Sequence, residues 1–128
     1  MQKRAGLLYL SLSTRRILLI LENEKWTVPT FSRSGSLIDD SKDLQSVFAP
    51  GKILPIELYL SKDKGFEYST YICLIDEEFL PQEVFTYCWA TLDYLPKNIH
   101  MGLRNTLNSN LIRTKIETVL ELQNAIFN

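Results

Sequence analysis

Histidine occurs once in this chain of 128 residues, at His100, and cysteine twice, at Cys73 and Cys88. A structural zinc site takes four nitrogen or sulfur ligands at close spacing, and neither a second cysteine pair nor a neighbouring histidine completes one. Both cysteines stand in apolar, strand-like segments, which predicts buried free thiols in a reducing compartment. An excess of one charge is lacking too, since 14 basic side chains face 15 acidic ones. A nucleic-acid backbone demands a clustered basic surface, so nucleic acid is not an expected partner. Long hydrophobic runs are also missing. The longest aliphatic stretch, Ile17 to Leu21, cannot span a bilayer. Lys3-Arg4 followed by Leu7 to Leu12 imitates a signal peptide, but Ser11 interrupts the apolar stretch and Arg15-Arg16 follow without a small-residue cleavage site. The expectation is a cytoplasmic protein that does not enter a membrane. With no repeat, low-complexity tract or linker, residues 1–128 are expected to form one domain.

What is present suffices for a core. Hydrophobic residues make up 45% of the chain, among them 6 Tyr, 6 Phe and 2 Trp, and each aromatic ring can remove a large area from water. Leu8, Leu10 and Leu12 alternate with Tyr9 and Ser11, predicting a strand from Leu7 to Ser13. Ile17 to Leu21 is apolar on both faces and reads as a central strand. Asn23-Glu24-Lys25 turns the chain into a short strand, Trp26 to Pro29. Loop chemistry follows in Ser32-Arg33-Ser34-Gly35-Ser36. Asp39, Asp40 or Ser41 then caps a short helix to Phe48, with Leu44, Val47 and Phe48 on one face. Leu54, Ile56, Leu58 and Leu60 have clean period two, and Lys62-Asp63-Lys64-Gly65 turns into a returning strand, Phe66 to Ile75. Asp76 to Gln82 is an acidic loop and Val84 to Leu92 a further strand. The period then becomes helical, over Ile99 to Leu107 and Leu111 to Phe127. This order predicts an α+β fold: a mixed, mostly antiparallel sheet between helices, with helices at the carboxyl end.

Several segments resemble the Nudix hydrolase family. Ala5-Gly6-Leu7-Leu8-Tyr9-Leu10, Arg16-Ile17-Leu18-Leu19-Ile20-Leu21 and Trp26-Thr27-Val28-Pro29 are similar to its opening strands. Tyr87-Cys88-Trp89-Ala90-Thr91-Leu92-Asp93-Tyr94-Leu95-Pro96 resembles its Trp-containing strand and Leu-Pro turn, and Ile99-His100-Met101-Gly102-Leu103 the start of its closing helix. The family's catalytic box runs Gly, five residues, Glu, seven residues, Arg-Glu, a hydrophobic residue, any residue, Glu-Glu, any residue, Gly, hydrophobic. Its glutamates, three and four apart on a helix, hold divalent cations against a diphosphate, and the metals activate water. Here the box is not recognisable. Counting from Phe31 puts Leu37, Gln45-Ser46 and Ala49-Pro50 at the acidic positions. Counting from Gly35 puts Ser41, Ala49-Pro50 and Ile53-Leu54 there. Neither register supplies a catalytic carboxylate, and Pro50 would break the helix.

Asp39, Asp40 and Asp43 are the nearest substitute, since a helix can gather residues three and four apart on one side. Carboxylates at a solvated helix start are explained equally well by the helix dipole. Arg33 beside Ser34-Gly35-Ser36 could meet an anion through backbone N–H groups. Trp26, Phe31, Tyr59 and Tyr71 could stack on a ligand base, although aromatics at strand spacing are more often core. His100 reads as a helix cap or a surface residue and Asp76-Glu77-Glu78 as solvated loop charge.

The resemblance therefore implies a degenerate Nudix-like module without pyrophosphohydrolase activity, catalytic residues or cofactor. It would bind a nucleotide-like small molecule or a protein partner at a shallow cleft bordered by Phe31, Arg33, Asp39, Asp40 and Asp43. Three carboxylates without cations should repel a diphosphate there. The alternative is a divergent Mg²⁺-dependent hydrolase of nucleoside diphosphate-linked compounds using that acidic cluster.

Overall fold

The computed structural model describes residues 2–48, 52–82 and 86–127, with side chains given except at 43–48, 52–56 and 126–127. Strand β1 spans Gln2–Ser11 and β2 Arg16–Glu22, and they pair antiparallel. Asn23 and Glu24, both at positive φ, make a two-residue turn into β3, Lys25–Thr27. That backbone sign matches the twist of a hairpin. Strand β4, Thr30–Ser32, pairs with the first half of β1, and helix α1 follows at Leu37–Phe48. Strands β5 (Lys52–Asp63) and β6 (Phe66–Ile75) form a hairpin closed by Gly65, whose φ of 71° favours glycine. Strand β7 (Tyr87–Thr91) adds to β2, and helices α2 (Met101–Asn108) and α3 (Asn110–Phe127) end the chain.

The sheet order is β3-β2-β1-β6-β5, with β4 beside β1 and β7 beside β2. Among the described strands only β1 and β6 pair in parallel, register Gln2 with Phe66 through Ser11 with Ile75, so the sheet is mixed and mostly antiparallel as expected. Alternation along β1 builds both faces of the core. Leu8 and Leu10 pack with Ile17, Leu19, Ile72 and the apolar faces of α2 and α3 (Leu103, Leu107, Ile112, Ile116, Leu120). Ala5, Leu7 and Tyr9 point the other way, to Leu18, Phe31, Cys73, Ile75 and Leu37 of α1. Helices thus cover both faces. No helix among the described residues is long and apolar enough to cross a membrane.

Four expectations need correction. The first strand begins at Gln2 rather than Leu7, because β4 and β6 flank its amino-terminal half and satisfy backbone groups that the polar sequence alone left unassigned. The Trp26 to Pro29 strand ends at Thr27, since Pro29 has no N–H to donate, and its carbonyl instead accepts from Leu7 at 2.9 Å. Ile17 to Ile20 is buried, but Leu21 is 38% exposed near the strand end. Helix α1 is capped by Ser36, whose Oγ accepts from Asp39 N at 3.2 Å, so it starts before the aspartates proposed as its cap. The expected strand start at Val84 lies outside the described residues.

Candidate functional site

The loop between β4 and α1 folds back on a single carboxylate. Asp40 Oδ2 accepts from the amides of Ser34 and Gly35, both at 2.8 Å, and from Arg33 Nε at 3.2 Å, while Oδ1 accepts from Ser34 Oγ at 3.2 Å. The Gly35 and Ser34 amides, then the Ser34 hydroxyl and the Arg33 guanidinium, hold its carboxyl below the usual carboxylate range. Arg33 is equally committed. It donates to Tyr71 Oη at 3.0 Å and Gly35 O at 3.1 Å, and lies 5.6 Å from the Tyr71 ring centre. Tyr71 Oη in turn donates to Glu57 Oε2 at 3.3 Å.

This network decides what the proposed site residues can do. The Ser34 and Gly35 amides, read as an anion nest, are spent on Asp40. Phe31 is 8% exposed, packs in the core cluster that Leu37 of α1 joins, and lines neither of the two cavities described below. Asp39 is exposed and points its backbone, not a partner carboxylate, at Ser36. The side chain of Asp43 lies outside the described residues. Among the described residues, no three His, Cys, Asp or Glu side chains are grouped to hold a metal. A divalent cation therefore does not fit Asp39 and Asp40 as placed: the second has four protein donors on its two oxygens. Glu78 of the acidic loop is likewise taken, by a two-pronged Arg16 contact at 2.7 Å on each oxygen.

Two cavities lie on opposite faces of the β5–β6 hairpin. The larger, of about 500 Å³, opens between the sheet and α2. Tyr59, Phe66, Tyr68 and Thr70 form its sheet wall, His100, Asn105 and Thr106 its helix wall, and Arg4 its far end. Size and mixed lining fall in the range of small-molecule sites. Burial pushes the Tyr68 phenol up, which keeps it a neutral donor. Thr70 is 2% exposed and its hydroxyl has no hydrogen-bond partner among the described residues. His100 caps α2 through Nδ1, which accepts from Leu103 N at 3.4 Å, and Arg4 is steadied by Thr30 Oγ1 at 2.9 Å. The smaller cavity, about 200 Å³, lies on the α1 side and includes Arg33 and Tyr71.

No model of a protein family matches the sequence, and no curated protein does. Solved structures do match in shape. An ADP-ribose pyrophosphatase from Streptococcus suis superposes with a TM-score of 0.64 at 16% identity, over 95% of this chain and 91% of its own. A Nudix hydrolase from M. smegmatis gives 0.65 at 16%, over 91% and 85%. The E. coli dihydroneopterin triphosphate pyrophosphohydrolase gives 0.62 at 11%, over 87% and 95%. The fold is that of the Nudix hydrolases. Within this Nudix fold the polar network stands at the start of α1, and the roomy cavity stands on the other face of the sheet.

Of the aromatics weighed from sequence, Tyr59 lines the larger cavity and Tyr71 the smaller, whereas Trp26 packs against the main core. Sequence reading missed Arg4, Phe66, Tyr68 and Thr70. A signal for three of them existed. Folding the hairpin about Lys64-Gly65 pairs Tyr59 with Thr70, Ser61 with Tyr68 and Asp63 with Phe66, which puts the rings on one face.

Proposed function

We propose that this chain is a non-hydrolytic Nudix-fold module that binds a small molecule with a planar ring in the larger cavity. The commitment of Asp40 carries this reading. A carboxylate that accepts from two amides, a hydroxyl and a guanidinium is held in the loop, and turning it toward a cation would strand those donors. The cavity supports the binding half of the proposal. Tyr59 and Phe66 are partly exposed on its wall and offer ring faces, and Thr70 and Asn105 offer polar groups to orient a bound molecule. A nucleotide-like compound is the first class to test, through its base.

The test is a thermal-shift and turnover panel of nucleosides, nucleotides and nucleoside diphosphate derivatives, with and without Mg²⁺ or Mn²⁺. Stabilisation that needs no metal, without product above the no-enzyme control, is the expected result. Metal-dependent turnover that disappears in an Asp39→Asn, Asp40→Asn, Asp43→Asn variant would establish the divergent hydrolase instead. Absence of any shift would point to a protein partner.

A further inference from the structure

The smaller cavity separates its charges between two walls. Its cations all come from one side: Lys3 and Arg4 on β1, and Arg33 after β4. Its carboxylates come from the other: Glu57 on β5 and Glu67 on β6. Ser69 lies between these two walls. It is 6% exposed, and its hydroxyl has no hydrogen-bond partner among the described residues. Leu60, 39% exposed, and the Tyr71 ring add an apolar strip.

Existing contacts hold these groups to different degrees. Arg33 is spent on Asp40, Tyr71 and Gly35. Lys3 and Lys62 each form an ion pair with Glu67, at 3.8 and 3.6 Å, longer than a hydrogen bond, so a guest that hydrogen-bonds Lys3 or Glu67 directly competes with loose pairs only. Glu57 receives only the Tyr71 hydroxyl, at 3.3 Å on Oε2, among the described residues. A guest thus meets one ammonium and one hydroxyl on one side, and carboxylate oxygens on the other. A plain anion such as phosphate would find the loop amides taken and two carboxylates opposite. A simple cation would meet Lys3 and Arg33. A molecule with both charges satisfies both walls, and charge-assisted hydrogen bonds are the strong kind. At about 30 Å³ per water, the cavity holds some six or seven waters, the room of one small organic molecule.

We propose that this cavity is a binding site for a small zwitterion, an ammonium carboxylate of α-amino-acid size. Its carboxylate bonds Lys3 Nζ and Ser69 Oγ, its ammonium bonds Glu57 and Glu67, and its side chain lies along Leu60. The site is separate from the larger cavity and stands or falls without it.

Amide-resolved NMR titration of the full chain with each free L-α-amino acid tests this. At least one should shift Lys3, Glu57, Glu67 and Ser69 and leave Tyr68 and Asn105 unmoved. Its carboxamide and its des-amino analogue should each bind about tenfold more weakly, the loss expected for one charge-assisted bond. Ser69→Ala and Lys3→Met should weaken binding similarly, and Glu57→Gln serves where either variant misfolds. Thr70→Val, a change in the other cavity, should leave it intact. The proposal is overturned if no amino acid shifts these residues at about 10 mM, a concentration that reveals even millimolar affinity. Equal binding of the carboxamide, or stronger shifts with inorganic phosphate, would overturn it too.

Discussion

Ser69 and Thr70 are neighbours on β6, both largely buried, and their hydroxyls, neither with a partner among the described residues, open into two cavities on opposite faces of the same sheet. Alternation along a strand requires the opposition. Among the described residues the Tyr9 hydroxyl alone is buried without a partner, so the Ser69 and Thr70 hydroxyls reach their cavities, where a guest or water can complete the bonding. Thr70→Val should therefore hold or slightly raise stability, because it removes a donor that folding leaves unpaired. The same variant should weaken ring-ligand binding by about 1 kcal/mol, the net worth of one neutral hydrogen bond. Urea melts and ligand titration of the same preparation separate the two effects, and a variant that loses stability but not affinity would refute the assignment.

Gly6 gives the larger cavity its tyrosine. A Cβ there would collide with the Tyr68 hydroxyl and stand 2.9 Å from Val28 Cγ2. Gly6→Ala should cost about 1–3 kcal/mol, as overpacking does, and should push the Tyr68 ring into the cavity. Adding Tyr68→Phe should recover part of the loss, because the hydroxyl is the nearer obstacle. Denaturant midpoints of the single and double variants check this, and no recovery would show that Val28 alone sets the limit.

The Asp40 network makes a pH prediction with a definite sign. Its carboxyl titrates below the ordinary value of 3.8 in the folded chain. The bonds around it thus stabilise the fold above that value, and their contribution is lost as pH falls through the lower folded one. Melting temperature followed from about pH 5 downward should drop more steeply for the parent than for Asp40→Asn, whose amide does not titrate in this range. The variant should melt lower at neutral pH, since its side chain is uncharged opposite Arg33. Parallel curves for the two proteins would count against the network.

Thiol chemistry offers an independent check of the core. Cys73 is fully buried and burial pushes its thiol up to about 12, while Cys88 is half-buried with its thiol raised for the same reason. The thiolate is the reactive form, so both should react slowly with a disulfide reagent near pH 8, Cys88 before Cys73. Full reaction should need urea. Rapid modification of Cys73 in the native state would contradict its place against Tyr9 and Phe31.

Much of the fold was legible because local patterns and nearby partners dictate it. Period two and a Lys-Gly turn fixed the β5–β6 hairpin, and the returning strand runs from Phe66 to Ile75 as the alternation implies. Helical period placed Ile112, Ile116, Val119 and Leu120 on the buried side of α3, where they are found. The lone histidine caps α2, as an isolated histidine beside a helix start tends to do. These features need only a few residues of context.

The site was less legible, because it depends on which distant segments meet. Sequence spacing alone put Asp39, Asp40 and Asp43 on one side of a helix. It carried no information on whether Asp40 would face its helix neighbours or turn back to Ser34, Gly35 and Arg33, because that choice rests on a loop whose course β4 fixes by pairing with β1. The polar start of the chain likewise became a full strand only through pairing with β6, more than sixty positions away, and that parallel register brings Lys3 beside Glu67 and Arg4 beside Tyr68. Both cavities follow from that one pairing. The sequence by itself determined most of the elements and the core faces they present. The tertiary structure decided which charges are spent on each other and which remain free for a ligand, because electrostatic and hydrogen-bonding partners are set by proximity in space.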